Sequence, residues 1–384
     1  MNILFYMPLP EYGGVRTITE RLASELKSRG NTVFLLMHRR FYNDTRDYSP
    51  IIESYFLPSE TLMDDNNIKF YHSLVESLKI DIIINQDGLY EGVKLIDTIR
   101  HRGVPVISVI HNDPIGCGRW IFRDAITLRN DSFIEKLKRL ARIVLYPRTK
   151  KRYIDSIKGQ FDLLYKGESH ICVLSPRFID DIKLINPKIK DISAIPNFNI
   201  YKETNKCLKE KIVLYVGRLD NRQKKVQYLL DIWKSVSKQV PDWKLVIVGE
   251  GKDGASLKAK AAKIRNVEFC GYQDPTSYYE RASILCMTSI FEGFPMVLTE
   301  TMQHGCVPIA FDSFAAIYDI ITPGIDGEIV KAFDKREYVN KLIHLIKCED
   351  YRNELATAAK RNVKRYDLEN IIEQWDALFR YVKS

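Results

Sequence analysis

Residues 291–300 read FEGFPMVLTE. An apolar run, 282–287, stands just upstream, and 297–304 downstream has the spacing of a helix. The order is therefore strand, Gly/Pro-bent loop, helix start. Backbone N–H groups without partners and a positive dipole end collect at such a start, so anions or sugar hydroxyls can dock there. Glu292 falls in the loop before the helix and Glu300 about one turn inside it. Two carboxylates flanking that end suit a ligand carrying both phosphate and hydroxyls, as a nucleotide sugar does. An ordinary βα unit with two surface glutamates gives the same string.

Working outward, short β-branched runs alternate with helical patterns. Strands are expected at 2–7, 32–37, 81–85, 104–110, 171–174 and 192–195, then at 212–216, 244–248, 267–270, 284–287, 307–311 and 328–330. This rhythm predicts parallel sheets covered by helices on both faces. Residues 197–210 are polar without an apolar run and read as a domain boundary. The tail, 350–384, reads as helical throughout. The result is an α/β chain of two doubly wound, Rossmann-like sheets. Ligands of such sheets bind outside the carboxyl ends of the strands, and two such sheets facing one another leave a cleft for two substrates.

A length of 384 residues suits two domains, and 45% hydrophobic with 28% charged residues is ordinary for a soluble globular protein. Seven cysteines form no CxxC pair, which fits a reducing compartment; Cys172, Cys270, Cys286 and Cys306 sit in apolar runs and read as core. The start, MNILFYMPLP, is a first strand rather than a signal peptide. No apolar run approaches the roughly 18–20 residues that span a bilayer. The expected location is cytoplasmic, with peripheral attachment to the inner face of the cell membrane left open. The net charge of +9 is concentrated: residues 119–166 hold thirteen Lys/Arg against five Asp/Glu. Leu137, Leu140, Ala141, Val144 and Leu145 add an apolar stripe at helical spacing. Such a segment can lie on an anionic bilayer, each Lys/Arg near the surface adding about 1 kcal/mol; the same stripe is also the inward face of a packed helix. No nucleic-acid motif accompanies it, so nucleic acid is not expected as a partner.

Four further strings carry chemistry. Residues 8–15, PLPEYGGV, join the first strand to the first helix, and Gly13 and Gly14 let backbone approach a ligand closely, as they also would in a plain turn. Residues 216–225, VGRLDNRQKK, set Arg218 and Lys224 at a carboxyl edge, where an arginine fork and a lysine point charge suit a diphosphate. Lys225 is an alternative to Lys224, and a basic solvated loop is the plain reading. Residues 249–254, GEGKDG, match G-x-G-x-x-G, but Glu268 lies inside the next strand rather than at its end, so a turn plus helix start explains the string better than a dinucleotide fingerprint. His111 follows the expected strand 104–110 and can hydrogen-bond a sugar hydroxyl or an anionic oxygen, or serve only as a structural loop histidine. No G-x-S-x-G elbow, Walker lysine motif or HExxH metal cluster is present.

In this order the strings resemble the retaining glycosyltransferases of family 4, with the two-domain GT-B fold, over nearly the whole chain. Glu292 and Glu300 meet the family's E-x7-E motif, Arg218 and Lys224 its GRLxxxxK motif, 13–15 its GGV loop, and Pro196 with Asn197 its PN pair. The family commonly has Gly or another small residue where this chain has Lys225. The resemblance implies that Arg218 and Lys224 grip the donor diphosphate and stabilise the leaving group. Glu300 then binds the ribose, and Glu292 and His111 stand beside the donor sugar. Gly13, Gly14, Gly217, Gly293 and the backbone of Phe294, Met296 and Val297 line the donor, while Pro295 has no N–H to give. It also implies a first domain over 1–198 on the acceptor side, a donor domain over 199–366, a tail helix 367–384 crossing back, and no metal ion. The expected activity is transfer from a UDP- or GDP-sugar to a hydroxyl of a glycan or lipid-linked saccharide in surface-polysaccharide synthesis. A nucleotide-sugar 2-epimerase of the same fold and a non-catalytic nucleotide-sugar or membrane-surface binding protein are the alternatives.

Overall fold

The computed structural model describes residues 1–8, 14–38, 52–89, 91–99, 102–116, 118, 140–141, 144–166, 169–199 and 208–384. Gly13, the loop 9–12 and most of the basic stretch, 119–139 with 142–143, lie outside the described residues. The chain divides into two compact units, Met1–Pro196 with Ile371–Ser384, and Asn197–Asn370.

Among the described residues, the first unit holds one parallel sheet of seven strands: β1 (Asn2–Pro8), β2 (Thr32–His38), β3 (Glu53–Phe56), β4 (Ile82–Asn85), β5 (Val106–Ile110), β6 (His170–Val173) and β7 (Ile192–Ala194). Their order is β3-β2-β1-β4-β5-β6-β7. Its helices are α1 (Gly14–Ser28), α2 (Asp65–Ser77), α3 (Gly92–Asp97), α4 (Tyr146–Lys166) and α5 (Arg177–Ile185). Strand β3 is an addition to the expected set. Its four residues, ESYF, are only partly buried at the sheet edge, so they lack the apolar run that marks the interior strands.

The second unit repeats the plan with β8 (Glu210–Val216), β9 (Lys244–Val248), β10 (Val267–Gly271), β11 (Ala282–Met287), β12 (Val307–Phe311) and β13 (Glu328–Val330), in the order β10-β9-β8-β11-β12-β13. Its helices are α6 (Val226–Val236), α7 (Gly254–Ala261), α8 (Thr276–Arg281), α9 (Met296–Gln303), α10 (Ile317–Ile320), α11 (Lys335–Lys347) and α12 (Glu349–Asn362). Each sheet thus sets two strands on one side of its first strand and the rest on the other, the doubly wound order whose reversal marks a ligand crevice. The core is apolar side chains from both sheet faces, with a few polar side chains among them. Trp233 is fully buried and its Nε1–H donates to the carbonyl of Arg265 at 3.0 Å. Cys172, Cys286 and Cys306 are buried, whereas Cys270, on the edge strand β10, is only half-buried and corrects its expected core placement.

The tail is not one helix. A 3-10 turn, Val363–Tyr366, and an extended Asp367 (φ −63, ψ 145) separate α12 from α13 (Leu368–Lys383). Asn199 holds the break: its N–H donates to the Tyr366 carbonyl at 2.8 Å, and its amide donates to the Val363 carbonyl at 3.0 Å and the Asp367 carboxylate at 3.1 Å. The partner is more than 160 residues away in sequence, so local periodicity carries no sign of it.

Candidate active site

The sequence-selected residues of the second unit gather where its strand order reverses, at the carboxyl ends of β8 and β11. Gly217 leaves β8 at φ +149 and Gly249 leaves β9 at φ +136, conformations that favour glycine. A Cβ on Gly249 would fall 2.1 Å from the Gly217 carbonyl oxygen. The Gly217 N–H donates to Val248 O at 3.0 Å and the Leu219 N–H to Glu250 O at 2.9 Å. The GEGKDG string is therefore a turn packed against the β8 loop, with Gly254 opening α7.

The loop that follows carries the cations. Arg218 is exposed, and its guanidinium donates to Gln223 Oε1 at 3.3 Å. Gln223 in turn donates from Nε2 to the Phe291 carbonyl at 3.2 Å and accepts at its own carbonyl from the Ile290 N–H at 2.8 Å. Lys224 Nζ pairs with Glu292 Oε1 at 2.6 Å, the two side chains 19% and 9% exposed. Thr288 closes the seam by donating to the carbonyl of Lys224 at 3.1 Å. Two loops 60 to 70 residues apart in sequence are thus stitched into one surface. Of the two lysines left open by sequence, Lys224 meets Glu292. Lys225 is buried, takes a left-handed φ of 49 ahead of α6, and sits over the Tyr228 ring.

Pro295 precedes α9, so the first helical N–H groups, of Met296 and Val297, have no acceptor within the helix. Both residues are half-buried, while Gly293 and Phe294 are buried and Phe294 packs edge-on against Tyr366, ring centroids 5.1 Å apart. Glu300 is 8% exposed and accepts from the Tyr279 hydroxyl at 2.7 Å. Burial pushes its carboxyl up to about 7, against a smaller lowering by Tyr279. Tyr279 was not legible as a site residue: it lies in α8, 21 positions before its partner.

On the first unit, Gly14 is the exposed first residue of α1. His111 follows β5, half-buried, with Nε2 at 2.5 Å from Gln86 Oε1 at the end of β4. Burial lowers the imidazole to about 4, so the ring is neutral near pH 7. Of the basic stretch, Leu140, Val144 and Leu145 are exposed rather than turned inward. The first half of α4 exposes Arg148, Lys150, Lys151 and Arg152 as well. Among the described residues no helix is long and apolar enough to cross a membrane, and no group of three or more His, Cys, Asp or Glu is placed to hold a metal ion.

Residues 197–362, nearly all of the second unit, match the family model "Glycosyl transferases group 1". The chain therefore carries a domain of that glycosyltransferase family. It is 38% identical over 200 residues, 49% of this chain, to the amylovoran biosynthesis glycosyltransferase AmsD of Erwinia amylovora. That match spans 56% of AmsD, little more than half of the relative's length. It is 29% identical over 263 residues, 66% of this chain and 67% of the relative, to a Campylobacter jejuni protein. That relative is named GalNAc-alpha-(1->4)-GalNAc-alpha-(1->3)-diNAcBac-PP-undecaprenol alpha-1,4-N-acetyl-D-galactosaminyltransferase. Among solved structures, Anabaena HepE in complex with UDP-glucose superposes with a TM-score of 0.74 at 14% identity, covering 99% of this chain and 100% of that one. The likeness reaches both units and gives the fold as GT-B, two Rossmann-like α/β domains.

Proposed function

We propose that this protein transfers a sugar, with retention, from a UDP- or GDP-sugar to a hydroxyl of a glycan or lipid-linked saccharide in surface-polysaccharide synthesis. The observation that carries the reading is the stitched surface at the β8/β11 reversal. It combines an exposed arginine, a lysine paired to a buried glutamate, and a helix start followed by a buried carboxyl. Arg218 and Lys224 meet the donor diphosphate, the N–H groups opening α9 meet its oxygens, and Glu300 takes the ribose hydroxyls. As the anomeric bond breaks toward an oxocarbenium-like state, charge grows on the leaving oxygen, and fixed cations stabilise it without reorganising. An acceptor hydroxyl on the same face gives retention, its proton passing to the leaving phosphate. The relatives named for amylovoran synthesis and for an undecaprenol-linked acceptor support the acceptor class. Two side-chain cations at the diphosphate make a metal ion unnecessary in this reading.

The test is release of nucleoside diphosphate and formation of product from UDP- and GDP-sugars with undecaprenyl-linked or glycan acceptors, with and without EDTA. Arg218→Ala should lower turnover by about a hundredfold or more and leave the melting temperature unchanged, because Arg218 is exposed. Full activity in that variant would reject the assignment; an epimerised donor formed without acceptor would favour the isomerase. Chelator-sensitive turnover would reject metal independence alone. The exposed Val144, Leu145 and Ile154 beside the cations of α4 further support peripheral binding to the inner, anionic face of the membrane. Sedimentation with phosphatidylglycerol vesicles but not with phosphatidylcholine vesicles is the expected result.

A further inference from the structure

Tyr279 and Glu300 meet inside the second unit, hydroxyl to Oε2 at 2.7 Å, with the tyrosine fully buried. A phenol is buried comfortably when its O–H has a partner, and an ionised carboxylate only accepts. The hydroxyl therefore donates, and the contact favours the anion. The tyrosine has little freedom to leave. The Pro275 carbonyl accepts from its N–H at 3.0 Å, and Asp274 opens α8 by accepting from the Thr276 N–H at 2.9 Å. Lys209 Nζ donates to the Tyr279 carbonyl at 2.9 Å. His304, which caps α9, stacks on the phenol ring with centroids 5.9 Å apart and planes at 25°. Glu300 Oε1 takes no hydrogen bond from any described residue. The charged neighbours divide. Asp274 bears on Glu300 and opposes the anion, whereas Lys209, Glu280 and Lys360 bear on His304. Strand β12 brings no ionisable group, Tyr366 turns its ring to Phe294, and Arg365 donates to the Asp319 and Ile320 carbonyls. Among the described residues, Tyr279 is thus the one group that favours the charged form of Glu300, against burial and Asp274.

We infer that Tyr279 is a positioning residue for Glu300: by holding Oε2 it keeps the carboxylate charged and fixed, and leaves Oε1 to accept from a ligand hydroxyl. The inference rests on the transfer reading above only for the ligand, the ribose of a nucleoside diphosphate. An anion accepts a hydroxyl more strongly than a neutral carboxyl does. Without the Tyr279 hydroxyl, burial and Asp274 act unopposed. Glu300 then holds its proton to a higher pH, and the ribose contact weakens below that pH. A tyrosine that served only as packing would act differently: its loss would loosen the site by the same factor at every pH. All of these residues belong to the second unit.

The experiment uses the full chain with 13C-labelled glutamate carboxyls, titrated from about pH 5 to about pH 9.5. The Glu300 resonance is identified by its absence from Glu300→Gln. Tyr279→Phe should move the Glu300 midpoint up by about one pH unit or more. Placing 3-fluorotyrosine at position 279, a stronger donor of nearly the same shape, should move it down. Melting temperatures identify a variant that fails to fold, and the fluorinated chain then carries the test. Binding of UDP and GDP, each against its 2′,3′-dideoxy counterpart, isolates the ribose contact, since the phosphates are common to both and cancel. Near pH 8 the wild type should prefer the ribose form by about tenfold. Tyr279→Phe should lower that preference severalfold near pH 7 and recover most of it near pH 9.5. In a Glu300→Gln background the same substitution should leave the preference independent of pH. A Glu300 midpoint unmoved by both replacements, or a ribose preference lowered by one factor at every pH, overturns the inference. A midpoint that moves as expected in a folded chain that binds neither UDP nor GDP supports the hold of Tyr279 on Glu300 and overturns the transfer reading alone.

Discussion

Glu300 is where burial and ligand chemistry pull in opposite directions. Its carboxyl titrates near 7 in the folded chain because burial disfavours the anion, and the Tyr279 hydroxyl recovers only part of that loss. A carboxyl raised on folding stabilises the protein fully below its unfolded value of 4.5, and the contribution is lost as pH rises through 7. The ionised form in the free protein therefore costs about 3 kcal/mol. Glu300→Gln keeps an oxygen for Tyr279 and removes the ionisation. Its melting temperature is expected to match the wild type near pH 5 and to exceed it above pH 7.5, as read by calorimetry across that range. Ribose hydroxyls donate to the anion, so nucleoside diphosphate affinity of the wild type should rise from pH 6 to pH 8 while that of Glu300→Gln stays flat. A wild-type melting temperature independent of pH between 5 and 8.5 would contradict the account. Lys225 shows a second conflict at a single residue. Its left-handed φ of 49 costs a side-chain-bearing residue roughly 1–2 kcal/mol. The small residue common at this position in the resembled family is the unstrained solution.

At the level of elements, the two glycines Gly217 and Gly249 set how closely the β8 and β9 loops approach, and with that where Arg218 begins. Gly249→Ala combines a disfavoured φ of +136 with a Cβ 2.1 Å from a carbonyl oxygen that belongs to backbone and cannot swing aside. The expected loss is more than about 2 kcal/mol, measured by urea unfolding followed through tryptophan fluorescence. Gly254→Ala is the control: the new Cβ would meet Leu219 Cδ1 at 3.5 Å, an ordinary contact, and a helical alanine gains about 0.5–1 kcal/mol over glycine. Equal stability of the two variants would show that the loops can part. The elements that carry these loops were legible because interior parallel strands are short apolar runs punctuated by glycine. Strand β3 was not, because an edge strand needs no second buried face and ESYF shows none. The motif residues Arg218, Lys224, Glu292 and Glu300 were legible as strings with fixed spacing. The partners Gln223 of Arg218, Tyr279 of Glu300 and Gln86 of His111 were not. Tyr279 and Gln86 meet their partners across 21 and 25 positions, and a glutamine beside a lysine or a tyrosine in a short helix has no pattern of its own. The break at 363–367 escaped for the same reason, since Asn199 imposes it from a distance.

Across the whole chain, α13 ties the end of the sequence to the first unit rather than to the second, from which it emerges. Leu368 to Asn370 close the second unit, and Ile371 onward belongs to the first. Ile371, Ile372, Trp375, Leu378 and Phe379 are all buried at 5% exposure or less. At about 1.5–3 kcal/mol per large apolar side chain, they account for roughly 8–15 kcal/mol, as much as the entire stability of an ordinary domain. The ion pairs of the same helix, Lys383 with Asp81 at 2.9 Å and Asp376 with Arg29 at 3.6 Å, are solvent-exposed and each contributes at most about 1 kcal/mol. Burial therefore decides. A chain ended after Asn370 is expected to lose the first unit and keep the second, whose own core, built around Trp233, Tyr215 and Tyr338, contains nothing from α13. Limited proteolysis should then leave a resistant fragment over 197–370 and digest the rest. Lys383→Ala in the full chain should move the melting temperature by no more than a degree or two, because a screened pair on a helix end is all it removes. A truncated chain whose first unit still resists protease would mean that the helix merely rests on that unit, and a large effect of Lys383→Ala would return the weight to charge.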